Sequence, residues 1–226
     1  MKTRTAAMPA APAATTSATR KLVMMALLTA FALVASRFQV PVISFLKYEP
    51  KDIFLVIAGL LYGPLPALGC SVAAGLLELP FSTTGVIGMI MNILSSAAFA
   101  CTVALIYKKR RDILGAVIGS VCAVAAMTVT MLLWNYLISP LYMGVTREQI
   151  VPMLSTVFLP FNLLKAGINA TLTLLIYRPF LHVLHLCGYP VKDHLADSKK
   201  ATVLMCAASG VLLAVCVGVV VYLNNK

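Results

Sequence analysis

The chain has 226 residues, of which 61% are hydrophobic and 11% charged, far below the roughly 25% charged residues of a soluble globular chain. Its apolar residues run in blocks of about 20, each long enough to cross the hydrocarbon core of a bilayer, so a soluble fold is excluded. The formal net charge of +11 gathers at the ends of these blocks and not in an aromatic-interleaved stripe, which argues against nucleic-acid binding and makes the charge a signal of topology.

In chain order, residues 1–20 form an Ala/Thr/Pro-rich tail expected to be disordered, and Lys2, Arg4, Arg20 and Lys21 mark it as cytoplasmic. The first span is predicted from about Lys21 to Ser36. A cleaved signal peptide is the competing reading, and Leu33 to Ser36 match the small-residue cleavage pattern poorly. A polar segment, RFQVPVISFLKYEPKD, leads to a second span at Asp52–Tyr62, broken at Gly63, Pro64 and Pro66 before a third that ends near Glu78. After LPFSTTG, a fourth span runs from about Val86 to Tyr107 and ends in KKRRD, a fifth from Ile113 to about Ile138, and a sixth from about Ser155 to Phe180. Six crossings from a cytoplasmic start return KKRRD and the end of the sixth span to the cytoplasm and put the loops after spans one, three and five outside, in agreement with the positive-inside rule. The six-helix domain thus covers 21–181, a cytoplasmic linker 182–200, and a seventh apolar block from Ala201 to Leu223 makes 201–226 an added transmembrane helix. The fold class is therefore all-α, a polytopic membrane helical bundle, because an apolar segment in lipid must satisfy its backbone internally and no barrel alternation is present.

The sixth span carries LPFNLLKAGINA, which sets Asn162, Lys165 and Asn169 on one helical face with Phe158 a turn earlier. A lysine deep in a span costs about 2.5–3.5 kcal/mol on insertion scales, so Lys165 should face a cavity, pair with a partner or snorkel. It sits about ten residues, or roughly 15 Å, into the predicted span, a long reach for snorkelling. Under the structural alternative it pairs with a neighbouring carbonyl or amide. Pro160 removes a backbone donor and frees a carbonyl near Thr156. In the fifth span, Asn135 lies in LLWNYLISP beside Trp134, which taken alone fits an interfacial belt. The Asn135 amide offers donors and an acceptor suited to a planar heterocycle. The fourth span adds Asn92, with Ser95 and Ser96 read as helix-packing residues. Asp52 is read as a helix cap, and Ala26 and Ala30 as a smooth ridge for helix contact.

The six cysteines include no Cys-x-x-Cys, and the three histidines fall in or near the linker, which argues against a metal site or a disulfide framework. No phosphate loop, zinc-protease, nucleophile-elbow or dinucleotide motif is present, so neither ATP use nor catalysis has a visible engine, and no cofactor is expected.

FLKYEPKD, STTGVIGMIMN, KKRR, LLWNYLISPLYMGV and LPFNLLKAGINA, in that order over about Leu22 to Phe180, resemble the riboflavin-specific S components of energy-coupling factor (ECF) transporters. The resemblance implies a six-helix fold in the cell membrane with a riboflavin pocket open to the outside and roofed by the loop after the first span. It also implies partnership with a transmembrane coupling protein and two cytoplasmic ATPase subunits, docked on Ala26 and Ala30. Carried over by motif, Asn135, Asn162 and Lys165 are expected to contact the flavin ring, with Tyr48, Thr84, Asn92 and Trp134 as further candidates. The seventh apolar block departs from the family pattern. Two other readings stay open: an S component for a different vitamin, and an integral-membrane enzyme using Lys165 as a base or amine nucleophile.

Overall fold

The first apolar block forms helix α1, Thr15–Ala35, in a computed structural model that describes residues 15–43, 46–82, 85–186 and 199–224. Its start lies inside the segment expected to be a disordered tail. The polar stretch after α1 is not a plain loop: β1 (Val40–Ile43) and β2 (Leu46–Tyr48) form a small antiparallel hairpin, with Val40 opposite Tyr48 and Pro41 opposite Lys47. The β-branched residues in VPVI favour extended backbone, and this short hairpin is an addition to a fold that is otherwise the all-α helical bundle expected from sequence.

Helix α2 spans Asp52–Tyr62 and α3 spans Pro64–Glu78; both ends of α2 and the end of α3 match the sequence reading, while α3 starts at Pro64, inside the expected break, and carries Pro66 within its first turn. Gly63 joins them at φ +97°, a conformation open chiefly to glycine, and Pro64 occupies the first turn of α3, where its missing N–H costs nothing. A 3₁₀ turn, Leu79–Phe81, follows. The remaining helices are α4 (Gly85–Lys109), α5 (Ile113–Met143), α6 (Arg147–Met153), α7 (Leu159–Leu186) and α8 (Lys199–Asn224).

Five helical stretches among the described residues are long and apolar enough to cross a bilayer: 18–35, 64–81, 85–109, 114–141 and 147–184. Helix α2 is not one of them. Its 11 residues reach only about 16 Å against a hydrocarbon core of roughly 30 Å, so the second predicted crossing is a short helix held inside the bundle. Leu55, Val56, Ile57 and Ala58 are fully buried, and α1, α3, α4 and α7 surround it. An axis wrapped on all sides needs no polar face, which is why its sequence reads as a span.

The sixth predicted span starts earlier than expected. Helix α6, capped by Thr146 and Gln149 in a reciprocal capping box, runs into a π turn at Leu154–Phe158 and then α7. The π turn lies just before Pro160, whose ring would clash with the Thr156 carbonyl in a regular helix, and the wider turn relieves that clash. The Thr156 hydroxyl donates to the Pro152 carbonyl at 2.9 Å.

Helix α8 lies along α7 and touches α5. It can approach closely because α7 presents Gly167, where an added Cβ would sit 2.5 Å from Cys216 Sγ. The Thr171 hydroxyl on α7 also donates to the Ser209 carbonyl of α8 at 3.3 Å. Most of the linker expected at 182–200 lies outside the described residues, which resume at Lys199.

Candidate ligand cavity

Charge is concentrated where the hairpin meets the helices. Lys51, only 2% exposed, pairs with Glu78 at the end of α3 and lies 3.2 Å from Glu49. Burial by itself favours its neutral amine, but the Glu49, Glu78 and Asp52 carboxylates outweigh that and hold its pKa above the ordinary lysine value. Asp52 is not the helix cap expected from sequence: no side chain caps α2. Its buried carboxylate instead accepts hydrogen bonds from the Ser96 hydroxyl and, at 2.7 Å, from Asn169 Nδ2. Asn169 Oδ1 in turn accepts from the Tyr48 hydroxyl at 2.9 Å. Burial, then the Asp52 charge, push the Tyr48 phenol well above its ordinary value, so it stays protonated as the donor. This network ties the hairpin to α3, α4 and α7.

Beside it opens a cavity of about 250 Å³. Arg37, Gln39 and Lys47 line its exposed rim, where the Arg37 guanidinium lies over the Phe81 ring, 4.6 Å from the centroid. Gln39 donates to Glu49 at 2.8 Å and accepts from Lys47 at 3.2 Å, which closes the rim into a polar belt. Deeper in, Met91, Met131, Phe158 and Phe161 supply polarisable and aromatic walls suited to a flat ring.

Four of the residues singled out from sequence meet here: Asn92 from α4, Asn135 from α5, and Asn162 and Lys165 from α7 all line the cavity. Lys165 is 9% exposed and has no hydrogen bond or ion pair among the described residues. Asn162 donates Nδ2 to the Phe158 carbonyl at 2.8 Å, while its oxygen has no partner among those residues. Asn135 donates to the Met131 carbonyl and accepts from the Ser139 hydroxyl, bonds that fix the orientation of its amide. Asn92 Nδ2 lies 3.4 Å from Glu78 Oε2.

The other candidates fall elsewhere. Tyr48 is buried in the network with Asn169 and does not line the cavity. Trp134 packs against the core outside the cavity. Its indole Nε1 is buried without a partner among the described residues. Thr84 lies outside the described residues. Ser95, read as a packing residue, lines the cavity with a buried hydroxyl that has no partner among the described residues, whereas Ser96 donates to Asp52 across the contact of α4 with α2, a helix-packing role. Glu49 and Glu78 were missed as lining residues. For Glu78 a signal existed: a carboxylate closing an apolar helix is costly unless partnered, and LKYEPKD supplies a lysine. Ala26 and Ala30 sit on the exposed face of α1 together with Leu27, Phe31 and Val34.

Among the described residues no group of three His, Cys, Asp or Glu is placed to hold a metal. Cys70, Cys101, Cys122, Cys206 and Cys216 are free thiols.

The family model described as "ECF transporter, substrate-specific component" matches residues 20–177. The riboflavin transporter FmnP of Bacillus subtilis is 28% identical over 171 residues, covering 70% of this chain and 90% of that protein. The riboflavin transporter RibU of Staphylococcus aureus is 25% identical over 168 residues, covering 70% and 89%. A solved S component of a bacterial ECF transporter superposes with a TM-score of 0.65 at 24% identity, covering 74% of this chain and 99% of that one.

Proposed function

The chain belongs to the substrate-specific components of ECF transporters, membrane transport subunits and not enzymes, and from that premise we propose that its cavity binds riboflavin for import. The observation that carries this reading is the buried Lys165 side chain, without a partner among the described residues, in a cavity shared with three asparagine side chains and three phenylalanine rings. An unpaired buried cation is costly, and a ligand that supplies acceptors removes the cost. The pyrimidine edge of a flavin carries alternating carbonyl and N–H groups. Lys165 donates to its carbonyl oxygens, Asn162 Oδ1 accepts its N–H, and Asn135 completes the edge. The aromatic and methionine walls take the ring faces. The names of the two curated relatives point the same way.

In this reading the subunit sits in the cell membrane with its N-terminus cytoplasmic and its cavity facing out, and the exposed α1 face with Ala26 and Ala30 meets a transmembrane coupling protein. Two ATPase subunits supply the energy for delivery. Titration of the detergent-purified apo protein with riboflavin, with thiamine and biotin as controls, tests the ligand. Saturable quenching of flavin fluorescence by riboflavin alone is expected. A folded protein that ignores riboflavin and binds one of the others would assign the cavity to a different vitamin.

A further inference from the structure

Helix α8 begins at Lys199, beyond residue 177 where the family match ends, so it stands outside the part of the chain that carries the family resemblance. Its inner face is well defined. Met205, Ser209, Leu212 and Cys216 recur at steps of four, three and four and turn toward the bundle, while Val211 and Val215 on the other side are exposed. Against α7 it runs antiparallel, since Thr171 meets Ser209 whereas Gly167, one turn nearer the start of α7, meets Cys216. It also touches α5 and the π turn at Leu154–Phe158. With α8 in place no residue from 157 to 174 is exposed. The helix that carries Asn162 and Lys165 is thus shielded from lipid over the whole stretch that lines the cavity. Helices α4 and α5, which also line the cavity, keep exposed apolar faces, with Leu94 and Leu133 among them.

That stretch of α7 is the part of the helix least able to hold itself. It opens on the π turn, Pro160 has no N–H to donate, and Asn162 uses its Nδ2 on the Phe158 carbonyl. Gly167 lies two residues past Lys165, about 200° around the helix, so the two stand on opposite sides of one turn. The turn is held between the cavity on one side and Cys216 of α8 on the other. We propose that α8 is an internal splint for ligand binding: packed against Gly167, it holds the turn of α7 that presents Lys165 and Asn162 to the cavity. Gly167 and Cys216 are positioning residues, acting on the ligand through the placement of Lys165. A binding constellation tolerates misplacement of only about 0.5 Å, so a helix displaced by more than that changes affinity without losing its fold. The inference rests on the riboflavin reading above and adds to it a function for the added helix.

A size swap at the contact tests this in the full-length protein. A Cβ at position 167 would lie 2.5 Å from Cys216 Sγ. An ordinary contact needs about 3.5 Å, so Gly167→Ala pushes the two helices apart by roughly 1 Å. The same substitution raises the helix propensity of α7 itself, so weaker binding cannot come from a weaker α7. The riboflavin Kd, read by fluorescence quenching, is expected to rise about three- to thirtyfold in Gly167→Ala. Adding Cys216→Gly, which removes both colliding atoms, should bring it back to within about threefold of the wild type. Thr171→Val keeps the shape and removes the bond to the Ser209 carbonyl. It is expected to raise Kd about two- to tenfold, and it carries the test if Gly167→Ala does not fold. An unchanged Kd, whatever the apo melting temperature does, would overturn the splint and leave the flavin reading standing. So would a rise in Kd that Cys216→Gly does not reverse, or an equal rise in Val215→Leu on the exposed face of α8. A wild-type protein that does not bind riboflavin would overturn both.

Discussion

Replacing Lys165 by methionine separates a ligand-binding lysine from a structural one. Methionine has nearly the length and flexibility of lysine, so it fills the same space beside Phe158, Phe161 and Asn162. Lys165 has no partner in the protein among the described residues, so its removal breaks no internal bond and abolishes the cost of holding an uncompensated ammonium at 9% exposure. The melting temperature of the apo protein in detergent is therefore expected to hold or rise. Riboflavin, by contrast, loses a charged hydrogen bond worth about 1.5–3 kcal/mol, which corresponds to a roughly 10- to 150-fold weaker Kd. Thermal shift with and without riboflavin reads both quantities on one sample, since ligand stabilisation follows the ratio of free ligand to Kd. A fall in apo melting temperature with unchanged Kd would refute the assignment and return Lys165 to a structural role.

Lys51→Met leaves Glu78, Glu49 and Asp52 without their shared cation and is expected to destabilise the fold by about 3–5 kcal/mol, measured by denaturation in detergent. Adding Glu78→Gln to it should recover part of that loss, since one of the stranded charges is gone. Gly167→Leu drives a side chain into Cys216, and the overpacking should cost about 1–3 kcal/mol. Accessibility of Cys216 to a thiol reagent should rise as α8 separates from α7. Ala26→Trp together with Ala30→Trp changes only the exposed face of α1, so riboflavin binding in detergent should be unchanged while co-purification with a co-expressed coupling protein is lost.

Much of the fold was legible because bilayer physics acts on composition. Apolar length alone located α3, α4 and α5, and the break expected at Gly63, Pro64 and Pro66 located the turn after α2, which the structure confines to Gly63. Length misled at α2, where a helix buried by its neighbours and a helix buried by lipid have the same composition. The hairpin was missed because its strands are only four and three residues long, too short for alternation to stand out. The π turn was foreshadowed by Pro160, yet whether a proline kinks a helix or widens a turn depends on the neighbours that satisfy the freed carbonyl.

For the site, periodicity placed Asn162, Lys165 and Asn169 on one helical face, and the cost of a charge in an apolar span marked Lys165. Those inferences are local: they need only the helical repeat and the dielectric of the surroundings. Which of the three opens on the cavity was decided by tertiary contacts, because Asp52 and Tyr48 take both ends of the Asn169 amide, whereas no described residue takes Lys165. The pairing of Lys51 with Glu78 across 27 positions, and the meeting of Glu49, Glu78 and Ser95 at one cavity, belong to the packed structure alone. A sequence states which polar groups must find partners when buried, and only the folding of distant segments against one another decides which are satisfied within the protein and which are left for a ligand.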